Sequence, residues 1–164
     1  MSTFSLFSDP HARHAIITHW PIVMCAVLPL LVLLVAFTKG KNKTLIYVAL
    51  GASIVACASA FMAEQSGEAA EFSLNARYQP ISAAEAAALH EHEELGEGGW
   101  LWPLIPMAFL GVLTVPTKRS MTRWVLIAMA LLGSVAGVVW VSMTAHAGGK
   151  LVYVHGLGVP ERVK

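Results

Sequence analysis

Seven histidines, in a chain where only 13% of residues are charged, are the side chains best equipped for chemistry, and their spacing groups them. His11, His14 and His19 sit at the start of a first apolar run, and His90 and His92 precede a third. His146 and His155 follow at the end of a fourth. If the runs cross a membrane in series, these three places share one face with the end of the second run. Lipid packing has no use for imidazoles, so a titratable cluster at one membrane face points to metal or haem ligation or to proton handling.

The elements that must position them are four apolar stretches free of charge: Ala15–Phe37, Leu45–Ala63, Gly98–Thr117 and Trp124–Gly149. Each approaches or exceeds the roughly 20 residues a helix needs to cross about 30 Å of hydrocarbon. The predicted spans are about 15–37, 45–65, 98–117 and 124–146 within a single domain of 164 residues. A 56% hydrophobic content, against so little charge, excludes an ordinary soluble domain, where charged residues run at about 25%. The fold class expected is an all-α membrane protein, a four-transmembrane-helix bundle in contact with the lipid bilayer.

Basic residues orient it. Lys39, Lys41 and Lys43 lie between the first two spans, and Lys118, Arg119 and Arg123 between the last two. Both turns are therefore expected in the cytoplasm, with both termini and the histidine face outside. All ten acids, Asp9, Glu64, Glu68, Glu71, Glu85, Glu91, Glu93, Glu94, Glu97 and Glu161, belong to that outer side. A net charge of +1 gives no reason to expect nucleic acid as a partner. The tail before the first span has no basic n-region, Arg13 being offset by Asp9, and the span is too long for a signal h-region, so it is expected to be retained.

The second helical pattern is expected to run past the membrane through Glu64, Glu68 and Glu71, with a loop over Phe72–Ile81. Ser82-Ala-Ala-Glu85 reads as a capping box opening an outer helix over about 83–97. Gly98-Gly99 ends it, and Pro106 should kink the third span. Past the fourth span, a glycine-bearing flap over 147–164 is expected to fold across the outer mouth. Cys25 and Cys57 lie within spans one and two as small packing residues and are assigned no chemistry.

His19 and His146, on the first and fourth spans near the outer boundary, are the leading pair for the axial nitrogens of a haem b, since bundle haems take ligands from facing helices. His92 and His155 are alternates or a second pair. His90 and His92 are two apart and point to different helix faces, so one at most faces the bundle, and His92 is nearer the membrane. Lys150, Arg13 and Arg77 are outer cations suited to haem propionates. A second possibility is a divalent or copper ion held by His14, His90, His92 and Glu68; a third is a structural subunit whose histidines only donate hydrogen bonds. No GxSxG, CxxC, CxxCH, HExxH or phosphate-binding glycine loop is present, which removes the usual enzyme classes.

Several local patterns resemble the bacterial multi-pass family catalogued as domain of unknown function 2231. They are His19-Trp-Pro-Ile22, Gln65-Ser-Gly67-Glu68-Ala-Ala-Glu71, His92-Glu-Glu-Leu-Gly96 and, the most specific, His146–Val159. The family often carries phenylalanine in place of Trp20 and threonine in place of Ser66. The resemblance implies a four-span unit of the bacterial inner membrane, its histidine cluster on the periplasmic side, beside haem proteins and respiratory subunits. The expected function is a b-type haem electron-transfer protein or the haem-bearing subunit of a redox complex, with other membrane subunits or redox partners.

Overall fold

The computed structural model describes residues 7–77, 81–116 and 119–157, with the backbone alone over 74–77. Five helices carry nearly all of it: α1 (Pro10–Phe37), α2 (Lys43–Arg77), α3 (Ala83–Gly96), α4 (Leu101–Leu113) and α5 (Ser120–Tyr153). Three of these, α1, α2 over Lys43–Ser73 and α5, are long and apolar enough to cross a membrane.

Helix starts follow side-chain chemistry. Asp9 caps α1 by accepting from the backbone N–H groups of His11 and Ala12 at 2.9 and 3.2 Å, with Pro10 as the first helical residue. Ser82 and Glu85 form the capping box of α3 reciprocally, at 3.3 and 2.6 Å. Pro21 and Pro29 are both accommodated within α1. Between α1 and α2 the chain reverses through left-handed backbone at Lys39 (φ 56°) and Gly40 (φ 63°).

The helices pack as a ring: α1 on α2, α2 on α4, α4 on α5, and α5 back on α1, with α3 lying on α5. At the basic end, the core is built from Leu28, Val32 and Val35 of α1, Ile46 and Ala49 of α2, Leu110 and Leu113 of α4, and Ile127 and Ala130 of α5. Higher up, Cys25, Ala56 and Val141 meet across three helices. Large apolar side chains such as Leu30 and Leu132 stay exposed on the outside of the ring, as a lipid solvent favours. Both cysteines are free thiols; Cys57 donates to the Trp100 carbonyl at 3.4 Å.

The helices depart from the expected spans in three places. Helix α4 has 13 residues, about 20 Å at 1.5 Å per residue, and so falls short of the roughly 30 Å core. Its bounds are steric: Gly98 turns the chain at φ 65°, and Pro116 disfavours helical backbone in the residue before it. Both ends are nevertheless tied to α2. The Gly98 N–H donates to Glu64 Oε2 at 3.1 Å, and Lys43 Nζ reaches the carbonyls of Leu113 and Thr114 at 3.4 and 2.5 Å. The terminal carbonyls of α4 thus gain a cation.

Helix α2 continues through the expected loop to Arg77, and residues 78–80 lie outside the described ones. Helix α5 continues through Gly148-Gly149 to Tyr153, where a flap was expected from 147. Only at 154–157 does it turn, with Gly156 at φ 69°, and the flap's remainder lies outside the described residues.

Candidate metal centre at the histidine end

Hydrogen bonds and charge contacts gather the histidines at one end of the bundle, and they divide into an interior pair and a peripheral set. His14 of α1 and His92 of α3, each half-buried, meet edge to face with ring centroids 6.3 Å apart and planes at 77°. Neither ring floats. Buried Ser66 of α2 donates its single hydroxyl proton to the Ala63 carbonyl at 2.8 Å, so it accepts from His14 Nδ1–H at 2.9 Å. His92 Nδ1–H donates to the Thr144 carbonyl of α5 at 3.1 Å, since a carbonyl only accepts. In both neutral rings Nε2 therefore keeps its lone pair, the arrangement in which a histidine is oriented for metal.

Glycines make room for this pair. A Cβ on Gly67 would lie 3.2 Å from His14 Cε1, and one on Gly148 would lie 3.0 Å from His92 Cε1. Each imidazole is thus seated flush against a helix backbone. Thr144, which receives His92, shares its single hydroxyl proton between the Leu95 carbonyl and the Trp140 carbonyl of its own helix, both at 3.1 Å, and Trp140 Nε1–H donates to the Leu95 carbonyl at 2.7 Å. These bonds lock the C-terminal turn of α3 onto α5.

Around the pair runs a polar layer that sequence spacing did not single out. His11 Nε2–H donates to Ser73 at 2.8 Å, while Ser73 donates to the Ala70 carbonyl at 3.0 Å. The two serines are seven residues apart on α2 and receive histidines three apart on α1. Glu93, half-buried beside Glu71, has its carboxyl pushed up, first by burial and then by the Glu71 carboxylate. Histidine–serine matches at these intervals were a readable signal, though only once α1 and α2 are placed side by side.

The other expected ligands are peripheral. His19 is exposed, its Nδ1–H donating to the Ala15 carbonyl of its own helix at 2.6 Å. His146 is exposed on α5 and lies within charge range of Glu91. No ring contact or hydrogen bond joins His19 to His146 among the described residues. His90 is exposed, 3.3 Å from Glu94 one turn on. His155 sits in the turn after α5 near Glu85, whose carboxyl is held low mainly by the Ser82 backbone N–H.

Of the expected propionate cations, Lys150 is taken by Glu91, at 2.6 and 2.8 Å to its two carboxylate oxygens. That ammonium holds the Glu91 carboxyl below its usual range. Arg13 is exposed, and the Arg77 side chain lies outside the described residues. Among the described residues no group of three or more His, Cys, Asp or Glu side chains is placed to enclose an ion.

Burial lowers the His92 titration from 6.5, against a smaller upward pull from the Thr144 carbonyl. Its ring resonance should therefore titrate below that of an exposed histidine in a pH series followed by NMR. A released His92 binds a proton as pH falls through 6.5 while the packed ring does not, so α3 docking weakens toward acid. The raised Glu93 carboxyl acts in the opposite sense, so the His92 share is read by difference: His92→Asn should lose less stability than wild type between thermal melts at pH 7.5 and pH 5.

Comparison of the chain with protein-family models, curated proteins and solved structures returned no match.

Proposed function

We propose that this chain is a metal-binding membrane protein of the redox class, with His14 and His92 as its ligands for a copper or divalent ion. The observation that carries this reading is the meeting of two imidazoles from separate helices, each with Nδ1 committed and Nε2 retaining its lone pair. Imidazole nitrogen suits copper, zinc and iron. Two metal–nitrogen bonds of about 2.0 Å and two ring radii would span 6.3 Å only in a straight line, so an ion with further ligands would draw the rings closer than the 6.3 Å between their centroids. Remaining positions fall to solvent or to a partner subunit.

The bundle is read as four-span, with α4 as the short third crossing because its two ends are tied to Glu64 and Lys43 of α2. In this reading the histidine end and both termini lie on the periplasmic side of a bacterial inner membrane, which the basic residues of the two opposite turns support. Membership of the domain of unknown function 2231 family belongs to the same reading, on the motif His146–Val159.

A second reading, a haem b electron carrier, is favoured by one observation. His19 is fixed by its Nδ1–H···O=C bond to Ala15 and presents Nε2 on an exposed helix face next to Trp20. In that reading His146 or His155 provides the opposite ligand, and Arg13, Arg77 or Lys150 pairs a propionate.

One preparation separates them. The detergent-purified chain, incubated with copper or zinc and desalted, should retain about one ion per chain by elemental analysis and show no Soret band. The double variant His14→Ala/His92→Ala should lose the ion, while His19→Ala/His146→Ala keeps it. A Soret band that the second variant loses and the first keeps would establish the haem reading instead. Absence of both metal and haem in the wild type would leave a structural subunit.

A further inference from the structure

A groove between α1 and α2 at the histidine end is lined by Arg13, Phe61, Met62, Gln65 and Ser66. Its chemistry is ordered along the helix. Phe61 and Met62, both exposed, lie about 6 Å nearer the middle of the bundle than Gln65 and Ser66, four residues further along α2. Arg13 stands over the polar part, exposed and with no ion pair among the described residues. Among the described residues no acid lines the groove.

We propose that this groove binds the headgroup of one anionic phospholipid, the phosphodiester on Arg13 and Gln65 and an acyl chain along Phe61 and Met62. The polar-above-apolar order matches an amphiphile standing in the bilayer. The guanidinium fork matches two phosphate oxygens. A zwitterionic headgroup would bring an ammonium, and no carboxylate is among the described lining residues to receive it, whereas a headgroup with net negative charge needs none. Free inorganic phosphate shares the Arg13 contact but leaves the apolar half unused. The assignment is independent of the metal reading, since it calls on neither imidazole.

Native mass spectrometry of the full chain in non-ionic detergent tests it, with phosphatidylglycerol, phosphatidylcholine or inorganic phosphate added. Phosphatidylglycerol should be retained at one copy per chain and phosphatidylcholine released. Arg13→Gln should weaken retention about tenfold. Arg13→Lys, which keeps the charge and loses the fork, should fall between. The Arg13 side chain is exposed, and circular dichroism of each variant should match wild type. Equal retention of the two lipids, unchanged retention in Arg13→Gln, or binding of inorganic phosphate as tight as the lipid would each overturn the proposal.

Discussion

Gly99→Ala is expected to lower the melting temperature of the detergent-solubilised protein by roughly 5–15 °C, at 2–4 °C per kcal/mol for a chain of this size. Gly99 is buried where the α3–α4 turn meets α5, and an added Cβ would run into the six-membered ring of Trp140. The ring is not free to swing aside, because Trp140 Nε1–H is spent on the Leu95 carbonyl at 2.7 Å. Moving the indole strands that donor, at about 1–3 kcal/mol, in addition to an overpacking cost of similar size. Gly96, three residues earlier, has nothing within 4 Å of its would-be Cβ. Gly96→Ala should therefore leave the melt within the scatter of surface substitutions. A Gly99→Ala variant that melts with wild type would show that the Trp140–Leu95 bond does not hold the turn.

That same turn marks where sequence reading succeeds and where it stops. Local signals are legible because their partners are local. Ser82 and Glu85 are three apart and cap α3 as their spacing requires, and the apolar runs of α1, α2 and α5 exceed any soluble helix face. The misreadings come from weighing glycine and proline as they act in water. Gly148-Gly149 reads as a helix end, yet α5 runs through it, since backbone hydrogen bonds are retained where water is scarce and Gly148 is packed by His92. Conversely, the apolar run Gly98–Thr117 is long enough on composition, but left-handed Gly98 and Pro116 leave only 13 helical residues between them.

The candidate site was legible as a place and not as a pairing. The order and packing of the helices carry the seven histidines to one end of the bundle. Which imidazoles meet depends on the rotation of α1 about its axis and on how α3 folds back over α5, and neither is encoded in spacing within one helix. Apolarity of the flanking sequence favoured His19, but α1 turns that face outward and brings His14, five residues earlier, against Ser66 and His92. The traces that remain in the sequence are the small residues opposite each ring, Ser66-Gly67 and Gly148, which acquire meaning only once the helices are docked.

Those seats lead to the second large effect. Gly148→Val should expel the His92 ring from its place while Gly149→Val, one residue on, leaves it undisturbed. A Cβ at position 148 would stand 3.0 Å from His92 Cε1 and 3.4 Å from Nδ1, and valine adds two methyl groups beyond it. The ring then loses its 3.1 Å bond to the Thr144 carbonyl and its contact with His14. At position 149 nothing lies within 4 Å, so both substitutions carry the same β-branched cost to the helix and only one reaches the imidazole. Two measurements report the difference. In the metal-free protein, the displaced ring regains water, its charged form is favoured again, and its NMR titration should rise back toward 6.5. On the proposed function, losing the bond that orients His92 should also weaken metal retention by about 10–100-fold, read by competition with a chelator. A His92 resonance that titrates alike in wild type, Gly148→Val and Gly149→Val would mean that the ring does not rest on α5, and the interior pair would lose its support.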